Sequence, residues 1–174
     1  MTQKAESEKI LSEITKEMFA YYAGDNKRIF HFLKVHALAK QIAVLENLSS
    51  QDLFTLETAA LTHDIGIKKS EEKYHSASGH YQQIEGPPLA EELLRKIGIP
   101  EDMIARVCYL IGHHHDYAHI DGIDYQILIE ADFLVNMQED GWNGEKVASA
   151  ANKYFKTSAG KRMCAELFGV KVPG

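Results

Sequence analysis

The sequence predicts an all-α fold, and three observations carry that reading. Apolar residues recur at helical spacing along most of the chain, and no clean period-2 run of β-branched residues is present. The four prolines, Pro87, Pro88, Pro100 and Pro173, are expected at breaks between periodic segments. With 174 residues, 45% of them hydrophobic and 25% charged, the chain matches an ordinary globular protein, which excludes disordered and collagen-like classes. The expectation is one compact helical domain over residues 1–174, with no internal repeat or linker.

The elements follow in order. Glu6 to Tyr22 reads as a first helix stopped near Gly24. Asp25 or Asn26 can cap a second, running to about Glu46 with Ile29, Val35, Leu38, Ile42 and Leu45 apolar. Ser49 or Ser50 can cap a third, ending near His63–Asp64 and stopped by Gly66. From Ile67 to Glu85 the periodicity is weak, which predicts a long functional or mobile loop in which Tyr74, His75 and Tyr81 could line the pocket or lid it. Pro87 or Pro88 is then expected in the first turn of a helix through Leu89, Leu93 and Leu94 to Ile97, closed by Gly98. Pro100, Glu101 and Asp102 open a helix to His113. Another spans about Tyr125 to Gln138 until Gly141, and two more occupy Gly144 to Phe155 and Ser158 to Phe168, packed on the core.

Composition restricts function as well. No run of 18 apolar residues exists, and the N-terminus MTQKAESEKI lacks the apolar stretch of a secretory signal, so a cytoplasmic, non-membrane protein is expected. A net charge of −6 argues against binding long nucleic acid, which calls for surplus Lys and Arg. It leaves room for a small phosphorylated substrate, because bound cations reverse a local field. Cys108 and Cys164 form no CxxC and read as core filler. Histidine is the outlier: nine in all, five of them between His75 and His115.

Four segments place ligand-type side chains toward the core. His31 shares a stripe with Val35, Leu38 and Ile42 at about 100° per residue. His63 and Asp64 follow an apolar run at a helix end, where both can turn to one point. Asp132 lies on a face with Leu128, Ile129 and Val135, where an ionised carboxylate is costly unless paired. The nearest basic residue in sequence is Lys146, while Asn136, one turn on, can orient the carboxylate. In His113-His114-His115-Asp116, His113 or His114 continues the inward face better than His115. Imidazoles and carboxylates in this number suit one or two divalent ions among Fe, Mn, Co, Ni, Zn and Mg, with Asp64 a natural bridge. Such ions acidify water for attack on phosphorus.

These residues carry a resemblance. His63-Asp64-Ile65-Gly66, the segment Arg28 to Val35 around His31, Leu110-Ile111-Gly112-His113-His114 and Glu130-Ala131-Asp132-Phe133-Leu134 together resemble the HD superfamily of metal-dependent phosphohydrolases, in its HDIG form, over about residues 28–136. The resemblance implies an all-α core, ligand roles for His31, His63, Asp64 and Asp132, and second-metal roles for His113 and His114. One departure stands out. Many binuclear members place a histidine four residues before the glycine of a His-x-x-x-Gly, and counting back from Gly86 gives Gln82. His80 and Glu85 are the neighbouring residues able to substitute.

The expected function is hydrolysis of a phosphoester in a small compound, in the first place a nucleotide, with His63 and Asp64 at the catalytic centre. Lys68, Lys69 and Arg28 are the candidate phosphate contacts. An HD-type di-iron oxygenase and a non-catalytic metal- or nucleotide-binding sensor are the alternatives, and self-association is left open.

Overall fold

The computed structural model describes residues 3–173. Among the described residues there are nine helices and no strand: α1 Gln3–Tyr21, α2 Asn26–Leu45, α3 Ser50–Thr62, α4 Gly66–Tyr74, α5 Gly79–Ile97, α6 Glu101–His113, α7 Ile123–Glu139, α8 Gly144–Tyr154 and α9 Ser158–Phe168. None of them is long and apolar enough to cross a membrane.

Local chemistry sets most boundaries. The side chains of Asp25, Ser49, Asn143 and Thr157 accept from the backbone N–H of Arg28, Asp52, Lys146 and Gly160, each satisfying a free donor of a first helical turn. Gly98 and Gly169 close α5 and α9 with φ of 88° and 63°, a conformation that costs other residues more.

α7 is buried from Asp124 to Val135 without interruption. A helix covered on all sides belongs at the centre, and α7 packs against α2, α3 and α9. α3 also meets α1 and α6, and α5 bridges α4 and α6. Buried apolar residues from Leu11 to Cys164 form one cluster, with Phe32, Leu56, Leu110, Tyr125 and Phe155 among its largest members. Glu130, fully buried, anchors the chain between α8 and α9 to α7. It accepts from the backbone N–H of Lys156 and Thr157, the Thr157 hydroxyl and the Gln126 amide.

Several expectations are corrected. The segment 67–85 is not a long loop: it holds α4 and the first turns of α5, joined by a short link in which His75 takes φ 53°. Tyr74 and Tyr81 stack on each other at 4.1 Å across that link instead of lining a pocket. Gly66 accordingly opens a helix rather than merely stopping one. Its backbone lies so close to α5 that an added Cβ would stand 2.7 Å from both the Gln82 carbonyl oxygen and the Gly86 nitrogen.

Pro87 and Pro88 sit in the middle of α5 rather than in its first turn. An interior proline costs about 3 kcal/mol in an isolated helix, but here both flanks of α5 are held. Gly86 packs against Gly66 and Ile111, Pro87 lies beside Gly112, and the Pro87 carbonyl accepts the Cys108 thiol at 3.4 Å. Tertiary packing outweighs the local break.

Because the atoms facing Gly66 are backbone and cannot swing aside, Gly66→Ala is expected to destabilise the protein by about 1–3 kcal/mol. Urea unfolding measures this, and a midpoint equal to wild type would deny the close approach of α4 and α5.

Candidate metal centre

Three histidines converge from α2, from the turn after α3 and from the end of α6. Each has its Nδ1 committed. His31 Nδ1 donates to Glu139 Oε2 at 2.9 Å, His63 Nδ1 to the Ala60 carbonyl at 2.9 Å, and His114 Nδ1 to the Ile111 carbonyl at 2.8 Å. That commitment fixes the tautomer and leaves each Nε2 with a free lone pair. All three Nε2 atoms are buried and lack a hydrogen-bond partner. A buried ring nitrogen without a partner is costly, and all three lie beside the Asp64 carboxylate.

Two carboxylates face them. Asp64 Oδ2 lies 3.4 Å from His31 Nε2 and 3.5 Å from His63 Nε2, and Asp64 Oδ1 lies 3.6 Å from His114 Nε2. Asp132 Oδ1 lies 3.2 Å from His31 Nε2 and 3.7 Å from His63 Nε2. Two sets of donor atoms are close enough to share an ion: His31, His63 and Asp64, and Asp64, His114 and His115.

Supporting contacts hold this arrangement. Asn136 donates to Asp132 Oδ1 at 2.9 Å, and the Tyr22 hydroxyl donates to the Asp64 carbonyl at 2.7 Å, tying the 63–65 turn to the end of α1. Lys34 holds Glu139 at 2.6 Å. Nothing in the sequence marks Glu139 as part of the site. Its one signal is position, two turns beyond Asp132 on the same face of α7.

His31, Asp64, Asp132, His115 and Glu139 border a cavity of about 340 Å³, lined also by Asp25, Lys27, Arg28, Ile67, Ala77, Gln82, Asn136 and Asp140. Arg28 reaches it from the first turn of α2, held by Asp25 and, at 2.6 Å, by Glu71.

Several sequence candidates are placed elsewhere. His113 is not brought to the cluster: it ends α6 with Nδ1 donating to the Tyr109 carbonyl at 2.7 Å and its ring stacked on Tyr109. His115 takes the inward position with His114, because the helix ends at His113 and the turn beyond it no longer follows helical spacing. Lys68 points back to α1, donating to the Tyr21 carbonyl at 3.1 Å, and Lys69 is exposed on α4 away from the cavity lining. Neither His80 nor Glu85 reaches the cluster. His80 is exposed with its ring edge against Tyr81, and Glu85 is bound by Lys73 and Tyr74. Gln82 itself is buried in the site, accepting from His115 Nε2 at 3.2 Å.

The field at the cluster is negative. Burial works against charging His63, yet Asp64 and Asp132 overcome it and push the ring up to about 9. His31 shifts upward by the same balance, burial being outweighed by the Asp132 carboxylate beside Nε2 and by Asp64. Burial would raise Asp64 and Asp132, but the imidazoles hold both well below the usual carboxylate range. His115 goes the other way, pushed down to about 4 by burial and then by His114.

The signs combine into one expected profile for cation-free protein. His63 and His31, raised above their unfolded value of about 6.5, stabilise fully below that pH and lose the contribution as pH rises toward 9. His115, lowered, opposes folding as pH falls from about 6.5 toward 4, and the lowered carboxylates add to the loss at still lower pH. Chelator-treated protein should therefore melt highest near pH 6.5, and added divalent cation should remove the alkaline decline. Scanning fluorimetry across pH tests both, and a flat alkaline limb without cation would contradict the field described.

Residues 28–154 match the family model described as HD domain. A crystal structure of a predicted HD superfamily hydrolase from an uncultured Thermotogales bacterium is similar, with a TM-score of 0.65 and 24% identity, covering 93% of this chain and 84% of that one. At that identity the likeness concerns the fold. No curated protein matches.

Proposed function

The chain belongs to the HD domain family, and on that premise we propose that it is a metal-dependent hydrolase of a phosphoester in a small compound, a nucleotide in the first instance. The observation that carries the reading is the set of three buried, unpartnered Nε2 atoms beside two carboxylates that line a cavity. Two imidazoles and two carboxylates, from His31, His63, Asp64 and Asp132, are a donor set suited to a divalent first-row ion or Mg. A cation held there supplies Lewis acidity, acidifying a water and polarising a phosphoryl oxygen.

The chain's own residues do the remaining work. Glu139 and the Ala60 carbonyl keep His31 and His63 in the tautomer that offers Nε2, and Asn136 holds the Asp132 carboxylate in place. Arg28 and Lys27 are the cations lining the cavity. Arg28, held by Asp25 and Glu71, offers a preset guanidinium to a phosphate. They replace Lys68 and Lys69 as the phosphate contacts proposed for this site. The cavity volume of about 340 Å³ favours a small substrate over a polymer, in line with the net charge of −6.

With a panel of nucleotides and p-nitrophenyl phosphate in the presence of Mn²⁺, Asp64→Ala should lower turnover by about 100- to 1,000-fold or more, on the scale of losing a main electrostatic contributor, with circular dichroism unchanged. Undiminished turnover in that variant would overturn the assignment. Arg28→Ala should raise KM about tenfold with kcat nearly constant, the effect of losing roughly 1.5 kcal/mol of charge-assisted hydrogen bonding. Steady-state kinetics on the same substrate separates the two parameters. Nucleotide bound without product at full cation occupancy would favour a sensor instead.

A further inference from the structure

The cavity beside the cluster is distinguished by what does not line it. Its only apolar lining residues are Ile67 and Ala77, and none is Phe, Tyr or Trp. Sites for flat heterocycles are built largely from apolar and aromatic side chains, on which a base stacks. No such platform faces this cavity, so a nucleobase would lie against charged groups or in water.

Most polar groups of the lining are already committed. Arg28 holds Asp25, His31 and Lys34 hold Glu139, and the Gln82 amide is shared between the Ala77 carbonyl and His115. Among the described residues, three lining groups form no hydrogen bond or ion pair: the Lys27 ammonium, the Asp140 carboxylate and Asn136 Oδ1. The Asn136 amide has no choice of orientation. The Asp132 carboxylate only accepts, so Nδ2 must face it, at 2.9 Å, and Oδ1 is left as an acceptor. Asp140 follows one turn later at the end of α7, its backbone N–H bonded to the Asn136 carbonyl at 2.9 Å, so the two side chains are neighbours on one face. Eight residues, roughly 12 Å of helix rise, separate Asp132 from Asp140, which leaves room for several carbons between a phosphate beside Asp132 and a group bound by Asp140.

Two neighbouring acceptors, one charged and one neutral, call for two neighbouring donors. In a lining that also presents Lys27 and Arg28, donors without positive charge fit best, and adjacent hydroxyls meet that description. A carboxylate reads a ribose hydroxyl in the same way in dinucleotide sites. We propose that the cavity recognises its substrate by vicinal hydroxyls, through Asp140 and Asn136, and leaves any base unread. The substrate class is a sugar phosphate, either free or as the pentose phosphate of a ribonucleotide. The inference rests on the phosphoester-hydrolase reading of the preceding subsection and names the part of the substrate beyond the phosphate.

The test compares kcat/KM of the full chain with Mn²⁺ on five compounds: adenosine 5′-phosphate, uridine 5′-phosphate, 2′-deoxyadenosine 5′-phosphate, ribose 5-phosphate and phosphoethanolamine. Ribose 5-phosphate should match both ribonucleotides within about threefold, less than one hydrogen bond's worth. The deoxynucleotide should fall about tenfold below its ribose counterpart, the loss of one hydrogen bond to a charged acceptor. Asp140→Ala should bring that ratio close to one, and a ratio of two substrates on one preparation does not depend on how much of the variant folds. Calorimetry with the non-hydrolysable phosphonate analogues of ribose and 2-deoxyribose 5-phosphate reads the same preference as a difference in Kd, without turnover. Equal rates on the ribo- and deoxynucleotide in wild type would overturn the inference, as would an unchanged ratio in Asp140→Ala. So would a preference of about tenfold for one base, or for phosphoethanolamine over ribose 5-phosphate. Each of these leaves a phosphohydrolase standing. Hydrolysis of none of the five with cation bound is a distinct outcome, which overturns the hydrolase reading and this inference with it.

Discussion

The arrangement depends on where each histidine places its Nδ1 proton. An imidazole can offer Nε2 to the cluster only if Nδ1 has an acceptor, and inside a helix the backbone carbonyls are already engaged. His63 and His114 solve this by standing just past helix ends, where the last carbonyls are free. His63 uses the Ala60 carbonyl and His114 the Ile111 carbonyl, three residues back in both cases. His31 lies within α2 and has no such carbonyl, so its acceptor comes from another helix, the Glu139 carboxylate at the end of α7. The His31–Glu139 bond ties the face of α2 to the end of α7, while the other two bonds set the His63 and His114 rings locally at the ends of α3 and α6.

Most of the fold was legible because local chemistry set the boundaries. Asp25, Ser49 and Pro100 start helices where the sequence places them, and Gly24, Gly98 and Gly141 take positive φ at or just beyond helix ends. The stretch 67–85 was not legible. α4 has few apolar residues, and only Gly66 and Ser70 of it are buried, so it carries little helical stripe. Pro87 and Pro88 read as a helix start because a proline pair is costly mid-helix in isolation. What permits it is contact with Gly66, Gly112 and Cys108, residues distant in sequence. That information is tertiary.

The site divides along the same line. Residues on regular helix interiors, His31 and Asp132, could be assigned a face by counting, and the structure brings both to the cluster. Counting fails beyond a helix end. Extending α6 past His113 favours His113 over His115, whereas the chain turns there and His115 comes inward. The lysines mislead for a different reason. Lys68 and Lys69 follow the His-Asp turn directly, but α4 leads them away from the cavity, and the cations that line it are Lys27 and Arg28, ahead of His31. Gln82, conspicuous for not being a histidine, occupies the site itself, so the substitution for it had no need to come from His80 or Glu85.

Charge in the cavity links the parts. Its lining holds five carboxylates, Asp25, Asp64, Asp132, Glu139 and Asp140, against the two cations Lys27 and Arg28. Without a dication, the phosphate of the proposed substrate would meet a repulsive field, strongest beside the largely buried Asp64 and Asp132. Proton uptake by His63 offsets part of that field, which is why its ring is pushed up to about 9. A dication does the same with two charges at once and leaves the imidazoles neutral, so protons and cation compete for one negative spot. Arg28 does little to neutralise Asp64 and Asp132, because Asp25 and Glu71 already hold it. On the proposed function the cation would bind before the phosphate, since it would convert a cavity lining that repels such a substrate into one that attracts it.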